Sequence, residues 1–463
     1  MYSKIHKYKQ LGMNIVVDPV SGSIHVVDDL TYEILDLYTE NDFNTIVSLL
    51  KNKYSEDEIK DAYDEIESLR NKGLLYSEDV YKDLDINREN SVIKAICLNV
   101  AHDCNLRCSY CFASTGDFKG GRKLMSYEVG KKAIDFLIKN SGNRKVVEVD
   151  FFGGEPLMNF EVVKKIVEYG RDEAEKHGKT IKYTITTNGV LLDDEKSTYI
   201  NENFSNVVLS LDGRKEINDG MRKRIDGSGS YDVIAPKIKN FVFKRGNKEH
   251  YVRGTFTAKN LDFTDDVLHL ADMGIREISV EPVVEKEDTD YTLKQEHLER
   301  ILKEYDRLTE EYIKRIDEGR PFSFYHFKIS LDNGPCIKKR LQGCGAGFEY
   351  AAITPDGEIY PCHQFVGNEL YKLGNVDSGI ENKLLQEKFM ESDIYKREEC
   401  SQCWARFYCS GGCFANNYNM NGDINKPYEL SCEMQKKRFE CAIAIKAYEM
   451  MFKKNNKPQQ FDN

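Results

Sequence analysis

No apolar run in this sequence approaches the ~18 residues that a membrane-crossing helix needs, so no transmembrane span is expected. The N-terminal stretch MYSKIHKYKQLGMNIVV also lacks the continuous apolar segment and small-residue cleavage site of a secretory signal. A cytoplasmic location is the resulting expectation. Positive charge is not in excess either: 66 Lys and Arg stand against 77 Asp and Glu, a net charge of −11. This argues against the broad basic footprint of a protein that grips a nucleic-acid backbone. There is no repeat at a solenoid period and no long low-complexity tract. What remains is a globular composition, 40% hydrophobic and 31% charged, over 463 residues. Single cores usually stop growing at ~250–300 residues, so two or three domains are expected.

Residues 1–80 read as a small module, with strand-like segments at 14–17 and 23–27 and helical patterns over 32–37, 45–53 and 56–70. A polar linker over 81–91 follows. Between 92 and 320, strand-like runs at 93–100, 146–152, 182–187, 206–211, 251–256 and 278–280 alternate with amphipathic helical stretches. Such alternation predicts right-handed βα units around a parallel sheet. The expected fold class is α/β, a partial (β/α)6 TIM barrel, closed by a charged helical connector over 291–319. A cysteine-rich region over 321–453 ends in a helix, and the polar tail 454–463 reads as disordered.

Thirteen cysteines do not suit a disulfide framework in a chain kept among reduced thiols, so their spacing carries the argument. Cys104, Cys108 and Cys111 form C-x3-C-x2-C directly after a strand. Three thiolates on a four-iron cubane leave one iron open for a ligand, whereas electron-transfer clusters and structural zinc usually take four protein ligands. A zinc site completed by His102 or a distant residue is the bland alternative. Gly153-Gly154-Glu155-Pro156 then follows the second strand. Ligands of α/β folds collect at such C-terminal strand ends, although a plain turn and helix start would use the same letters.

CNLRCSYC at 104–111, FFGGEP, TTNG and LSLDG, in this order, resemble the radical S-adenosylmethionine (SAM) superfamily. The resemblance implies a [4Fe-4S] cluster on Cys104, Cys108 and Cys111 whose open iron chelates SAM. It also implies SAM contacts from Tyr110, Gly153, Gly154, Glu155, Thr187, Asn188, Ser210 and Asp212, with Arg253 as a further carboxylate candidate.

Farther along, Cys344, Gly357 and Cys362 precede Cys400, Cys403, Cys409, Cys413 and Cys432 as C-x12-G-x4-C, C-x2-C-x5-C-x3-C and a last C. This pattern resembles the SPASM extension, which implies two auxiliary [4Fe-4S] clusters, three clusters in all. Family logic interleaves the ligands: Cys344, Cys362 and Cys413 on the first auxiliary cluster, and Cys400, Cys403, Cys409 and Cys432 on the second. Cys336 is the upstream candidate for a fourth ligand to the first; the alternative is a cluster left open for a substrate thiolate. A pair of zinc sites is the bland reading. Cys97 and Cys441 sit in apolar stretches and read as packed hydrophobes.

The hairpin-plus-helices pattern of 1–80 resembles the winged-helix-like RiPP recognition element, which takes the leader of a ribosomally made peptide as an added strand; a structural cap is the alternative. NIVVDPVSGSIHVVDDLTYEILDLY resembles maturases of the cysteine-rich SCIFF peptides. That resemblance implies thioether crosslinks from cysteine sulfur to an acceptor α-carbon. It also implies a cysteine-rich precursor peptide as substrate and an electron donor such as flavodoxin or ferredoxin. The rivals are an anaerobic sulfatase-maturing enzyme, in whose family an aspartate base follows the second auxiliary cysteine where His363 stands here, and a non-enzymatic iron–sulfur or zinc scaffold.

Overall fold

A computed structural model of the chain describes residues 4–84, 91–331 and 336–452. Most of the expected linker and the polar tail lie outside the described residues. The N-terminal module opens with an antiparallel sheet, β1 (His6–Gln10), β2 (Met13–Val17) and β3 (Ile24–Val27), with β2 in the centre. Only β2 and β3 are legible in the sequence, because β1 reads HKYKQ and carries no apolar alternation. Helices α1 (Asp29–Leu37), α2 (Phe43–Leu50) and α3 (Glu56–Asn71) follow. Asp28, Asp42 and Ser55 each accept a first-turn amide hydrogen bond, and Ser55 forms a reciprocal capping box with Glu58.

Strand alternation divides β2 between two cores. Val16 faces Leu30, Ile34, Ile59 and Ile66 of the module's own helices. Met13, Ile15 and Val17 face the other way and pack on Ile443, Ala444 and Ala447 of the C-terminal helix. Side chains two apart share a face, so one strand serves both.

The α/β core matches the expected order. Strands β4 (Ala95–His102), β5 (Val146–Gly153), β6 (Thr180–Thr187), β7 (Asn206–Ser210), β8 (His250–Phe256) and β9 (Glu277–Pro282) are parallel and adjacent in chain order. Helices α4 (Tyr127–Asn140), α5 (Phe160–Lys176), α6 (Asp194–Asn203), α7 (Tyr231–Arg245) and α8 (Phe263–Asp272) cover the outside. The connector is α9 (Leu298–Asp317), after which Ser323–Phe324 adds a short parallel strand beside β9.

The sheet does not end at β4. Tyr350–Ile353, β10, pairs in parallel with Ala95–Leu98 and turns back as β11 (Glu358–Tyr360), with Gly357 at φ +81° in the turn. Cys344 precedes this hairpin and Cys362 follows it. The cysteine-rich region is thereby joined to the barrel by backbone hydrogen bonds rather than by side-chain docking alone. The C-terminal helix α10 (Glu429–Phe452) is buried on two sides. Leu430, Met434, Cys441 and Ile445 enter the barrel core, and Ile443, Ala444 and Ala447 meet the N-terminal sheet. Among the described residues, no helix is long and apolar enough to cross a membrane.

Candidate active site

The barrel's functional end is built on a close backbone contact. Gly154 N–H donates to Ala101 O at 2.7 Å and Glu155 N–H to Asp103 O at 2.9 Å, tying the end of β5 to the loop that carries the first cysteines. A Cβ on Gly153 would stand 2.3 Å from Ala101 O, and one on Gly154 2.2 Å from Asp103 O. Gly116, at φ +100°, would likewise meet Cys104 Cβ at 2.7 Å. These glycines let three backbone segments pack on one another. One side of Gly153 and Gly154 is thereby filled by the cysteine loop.

Cys104 is buried, and Cys108 and Cys111 are half-buried. Burial pushes the Cys104 thiol up to about 12, with Glu155, Cys108 and Cys111 adding to the effect. Burial also pushes Cys108 up to about 11, the Arg222 guanidinium pulling the other way. Both thiols therefore hold their protons at neutral pH unless a bound cation displaces them. Leu106 N–H and Asn188 Nδ2 donate to Cys104 Sγ at 3.4 and 3.6 Å. Asn105, beside it, has a buried Nδ2 with no protein partner.

Glu155 is fully buried. Its carboxylate accepts from Leu157 N–H (3.0 Å), Thr187 Oγ1 (2.8 Å) and Asn188 N–H (2.8 Å), clamping the end of β6 to that of β5. Burial pushes this carboxyl up to about 7, against the pull of the three donors. Replacing Glu155 with Gln should set an NH2 donor against one of these donors and destabilise the protein by ~1–3 kcal/mol. Anaerobic thermal unfolding measures this; an unchanged midpoint would remove the clamp from the account.

Asp212, fully buried, holds a second clamp. Its carboxylate accepts from Tyr110 Oη at 2.5 Å, Arg222 Nε at 3.0 Å and Thr255 N–H at 3.0 Å. Arg222 lies 5.5 Å from the Tyr110 ring centroid and begins the short strand Arg222–Arg224, which pairs with Leu106–Cys108 of the cysteine loop. Arg222 was not anticipated: RKR in a polar loop gives no sequence signal. Ser210 and Arg253 are register partners on β7 and β8. Arg253 is half exposed and lies 3.7 Å from Glu281.

Glu281, near the end of β9, also meets His326 at 3.2 Å and Arg438 at 3.6 Å, and Arg438 donates to Tyr305 Oη at 2.8 Å. The surrounding cations hold the Glu281 carboxyl well below its ordinary range despite burial. The sequence does hold a signal for Glu281, a carboxylate at a strand's C-terminal end.

The two cysteine regions meet across an aromatic wall. His363, next to Cys362, lies 5.0 Å from the Phe152 ring and 5.6 Å from the Phe112 ring, one on β5 and the other beside Cys111. Burial lowers the His363 pKa to about 4.

In the cysteine-rich region, the thiols acting on Cys362 are Cys413 and Cys344, and those acting on Cys432 are Cys409, Cys400 and Cys403. The structure thus brings together the two interleaved sets. Cys336 is exposed at the start of the short helix Ile337–Gln342. Cys97 and Cys441 are buried in the core, where Cys441 Sγ lies 3.7 Å from Tyr305 O. Among the described residues, no three His, Cys, Asp or Glu side chains converge as they would on a single metal ion.

Residues 98–245 match the family model of the Radical SAM superfamily, and residues 344–404 match that of SPASM, an iron–sulfur cluster-binding domain. An uncharacterised protein of Methanocaldococcus jannaschii is 30% identical over 315 residues, 66% of this chain and 96% of that protein. A cysteine-type anaerobic sulfatase-maturating enzyme of Clostridium novyi (strain NT) is 26% identical over 370 residues, 75% of this chain and 94% of the enzyme. In fold, the chain is similar to native anSMEcpe with bound AdoMet and Kp18Cys peptide, with a TM-score of 0.62 at 22% identity over 76% of this chain and 97% of that one.

Proposed function

Because this chain belongs to the radical SAM superfamily and carries a SPASM iron–sulfur domain, we propose that it is a peptide maturase that forms thioether crosslinks from cysteine sulfur to acceptor α-carbons in a cysteine-rich precursor. The observation that carries a peptide substrate is the N-terminal sheet: β3 pairs with β2 on one side and, among the described residues, with no strand on the other. An extended leader can add there as a fourth strand. The sulfatase-maturating relative favours a second reading, oxidation of a single cysteine or serine to formylglycine. Against it, His363 rather than an aspartate follows Cys362.

In this reading Cys104, Cys108 and Cys111 hold the SAM-binding cluster. Cys344, Cys362 and Cys413 hold the first auxiliary cluster, and Cys400, Cys403, Cys409 and Cys432 the second. The buried thiols, the unpartnered Asn105 amide and the two separate auxiliary thiol sets fit such groups. When reduced, the first of these clusters supplies the electron that splits SAM into methionine and a hydrogen-abstracting 5′-deoxyadenosyl radical. The protein's part is placement. Asp212 fixes the Tyr110 ring, and Glu155 fixes the Thr187–Asn188 strand end. Phe112, Phe152 and His363 place aromatic rings between the two cysteine regions. Cys336 is exposed at its helix start, and both a fourth protein ligand there and a first auxiliary cluster open to a substrate thiolate remain within the reading. The electron donor is expected to be a flavodoxin or ferredoxin.

Deleting 1–80 would strip Ile15 and Val17 from α10 and expose Ile443 and Ala447, so an edge substitution tests leader binding more cleanly. Val26→Pro on β3 should weaken binding of a labelled leader peptide about tenfold, because proline removes an edge N–H and the strand geometry. Fluorescence anisotropy reads the affinity. Unchanged binding with the iron content intact would reassign the module as a structural cap.

A further inference from the structure

Arg397 is 1% exposed, one of the largest fully buried side chains in the protein, and its hydrogen-bond partners are neutral. Nη1 donates to Gly411 O at 2.5 Å, Nη2 donates to Ser392 Oγ at 3.0 Å, and the Phe414 ring lies 4.7 Å from the guanidinium carbon. Among the described residues, Nε has no hydrogen-bond partner. The carboxylate facing this cation is Asp393, whose Oδ1 accepts from the Tyr395 and Lys396 amides at 2.8 and 3.0 Å. A buried guanidinium costs several kcal/mol unless charge compensates it.

Its location indicates where that charge comes from. Gly411 lies in the Ser410-Gly411-Gly412 link between Cys409, of one auxiliary set, and Cys413, of the other. A Cβ on Gly411 would stand 1.7 Å from Arg397 Nη1, so the link is shaped around the fork. The thiols acting on Arg397 come from both sets: Cys400 and Cys409 from one, Cys344 from the other. Burial disfavours the guanidinium's charge; Cys400 and Cys409 oppose that effect most, followed by Asp393 and Cys344.

We propose that Arg397 is a positioning residue for both auxiliary clusters, an internal cation that holds the Ser-Gly-Gly link and raises the reduction potentials on either side of it. The proposal rests on the two-cluster reading. Adding an electron makes a thiolate-ligated cluster more negative, so a fixed positive charge favours the reduced form.

The test is an EPR-monitored redox titration of anaerobically reconstituted full chain. It is run in the Cys104→Ala, Cys108→Ala, Cys111→Ala background so that only auxiliary signals remain, with iron assayed alongside. Arg397→Gln should keep its iron and shift both signals to more negative potential, by about tenfold in the reduction equilibrium, ~59 mV for a one-electron couple. Arg397→Lys, which keeps the charge, should titrate near the parent. Loss of iron from Arg397→Gln but not from Arg397→Lys would support the same role. Potentials unchanged in an iron-replete Arg397→Gln protein, or auxiliary iron lost from both variants, would overturn it in favour of a neutral structural clamp. A parent without two auxiliary signals would instead refute the cluster reading beneath it.

Discussion

Protein in which Cys104, Cys108 and Cys111 are all alanine should hold about eight irons where the parent holds about twelve, counting four per cluster, and should release no 5′-deoxyadenosine from SAM. The loss should be complete rather than graded. These thiols are gathered on one loop whose backbone is fixed by Gly154 and Glu155, and the auxiliary sets lie on separate segments that the substitutions do not touch. The clamps of Glu155 and Asp212 also remain, so the barrel should stay folded. Iron and sulfide assays with chromatographic detection of deoxyadenosine decide the matter. Full deoxyadenosine production would place the reactive cluster elsewhere, and stoichiometric zinc without iron would move the protein to the scaffold reading.

With a cysteine-rich precursor, SAM and a low-potential reductant, the peptide should lose two hydrogens for each link formed. One is the acceptor's α-hydrogen, taken by the adenosyl radical; the other is the thiol proton, with the remaining electron passing to the protein. A disulfide would give the same mass change, so the product is reduced and alkylated before fragmentation. Each link should survive reduction and leave one fewer alkylatable thiol. Deuterium placed on the acceptor α-carbon should appear in deoxyadenosine. Recovery of every thiol on reduction would identify the product as a disulfide and overturn the thioether assignment; formylglycine in place of a link would transfer the assignment to the sulfatase-maturating type of reaction.

The sequence carried the barrel well because its signals are local. Six apolar runs with intervening amphipathic stretches predict six parallel strands, and β4 to β9 lie within a few residues of the expected positions. The division of the later cysteines into two sets came from the family resemblance, and Cys344 and Cys413, 69 positions apart, both act electrostatically on Cys362. What stayed hidden depends on long-range geometry. Arg222 and Arg397 earn their surroundings only when distant loops fold over them. Strand β1 is polar because half its environment is another domain. That Gly153 and Gly154 also seat the cysteine loop stayed hidden, because it requires knowing which backbone lies opposite.

The seating of the N-terminal sheet on the last helix bears on how the chain is made. Tyr8 Oη donates to Glu440 O at 2.9 Å, a contact spanning 432 positions, and the cluster around Ile15 and Val17 includes Ile443, Ala444 and Ala447 of the last helix. At a ribosomal pace of ~5–20 residues per second, the first sheet waits on the order of 20–90 s for its partner to emerge. Through that interval the nascent module shows an apolar sheet face and an unpaired strand edge to its surroundings, both hazards for association with neighbouring chains. A bound peptide or a chaperone that shields this surface would therefore raise the yield of native protein without changing its final stability.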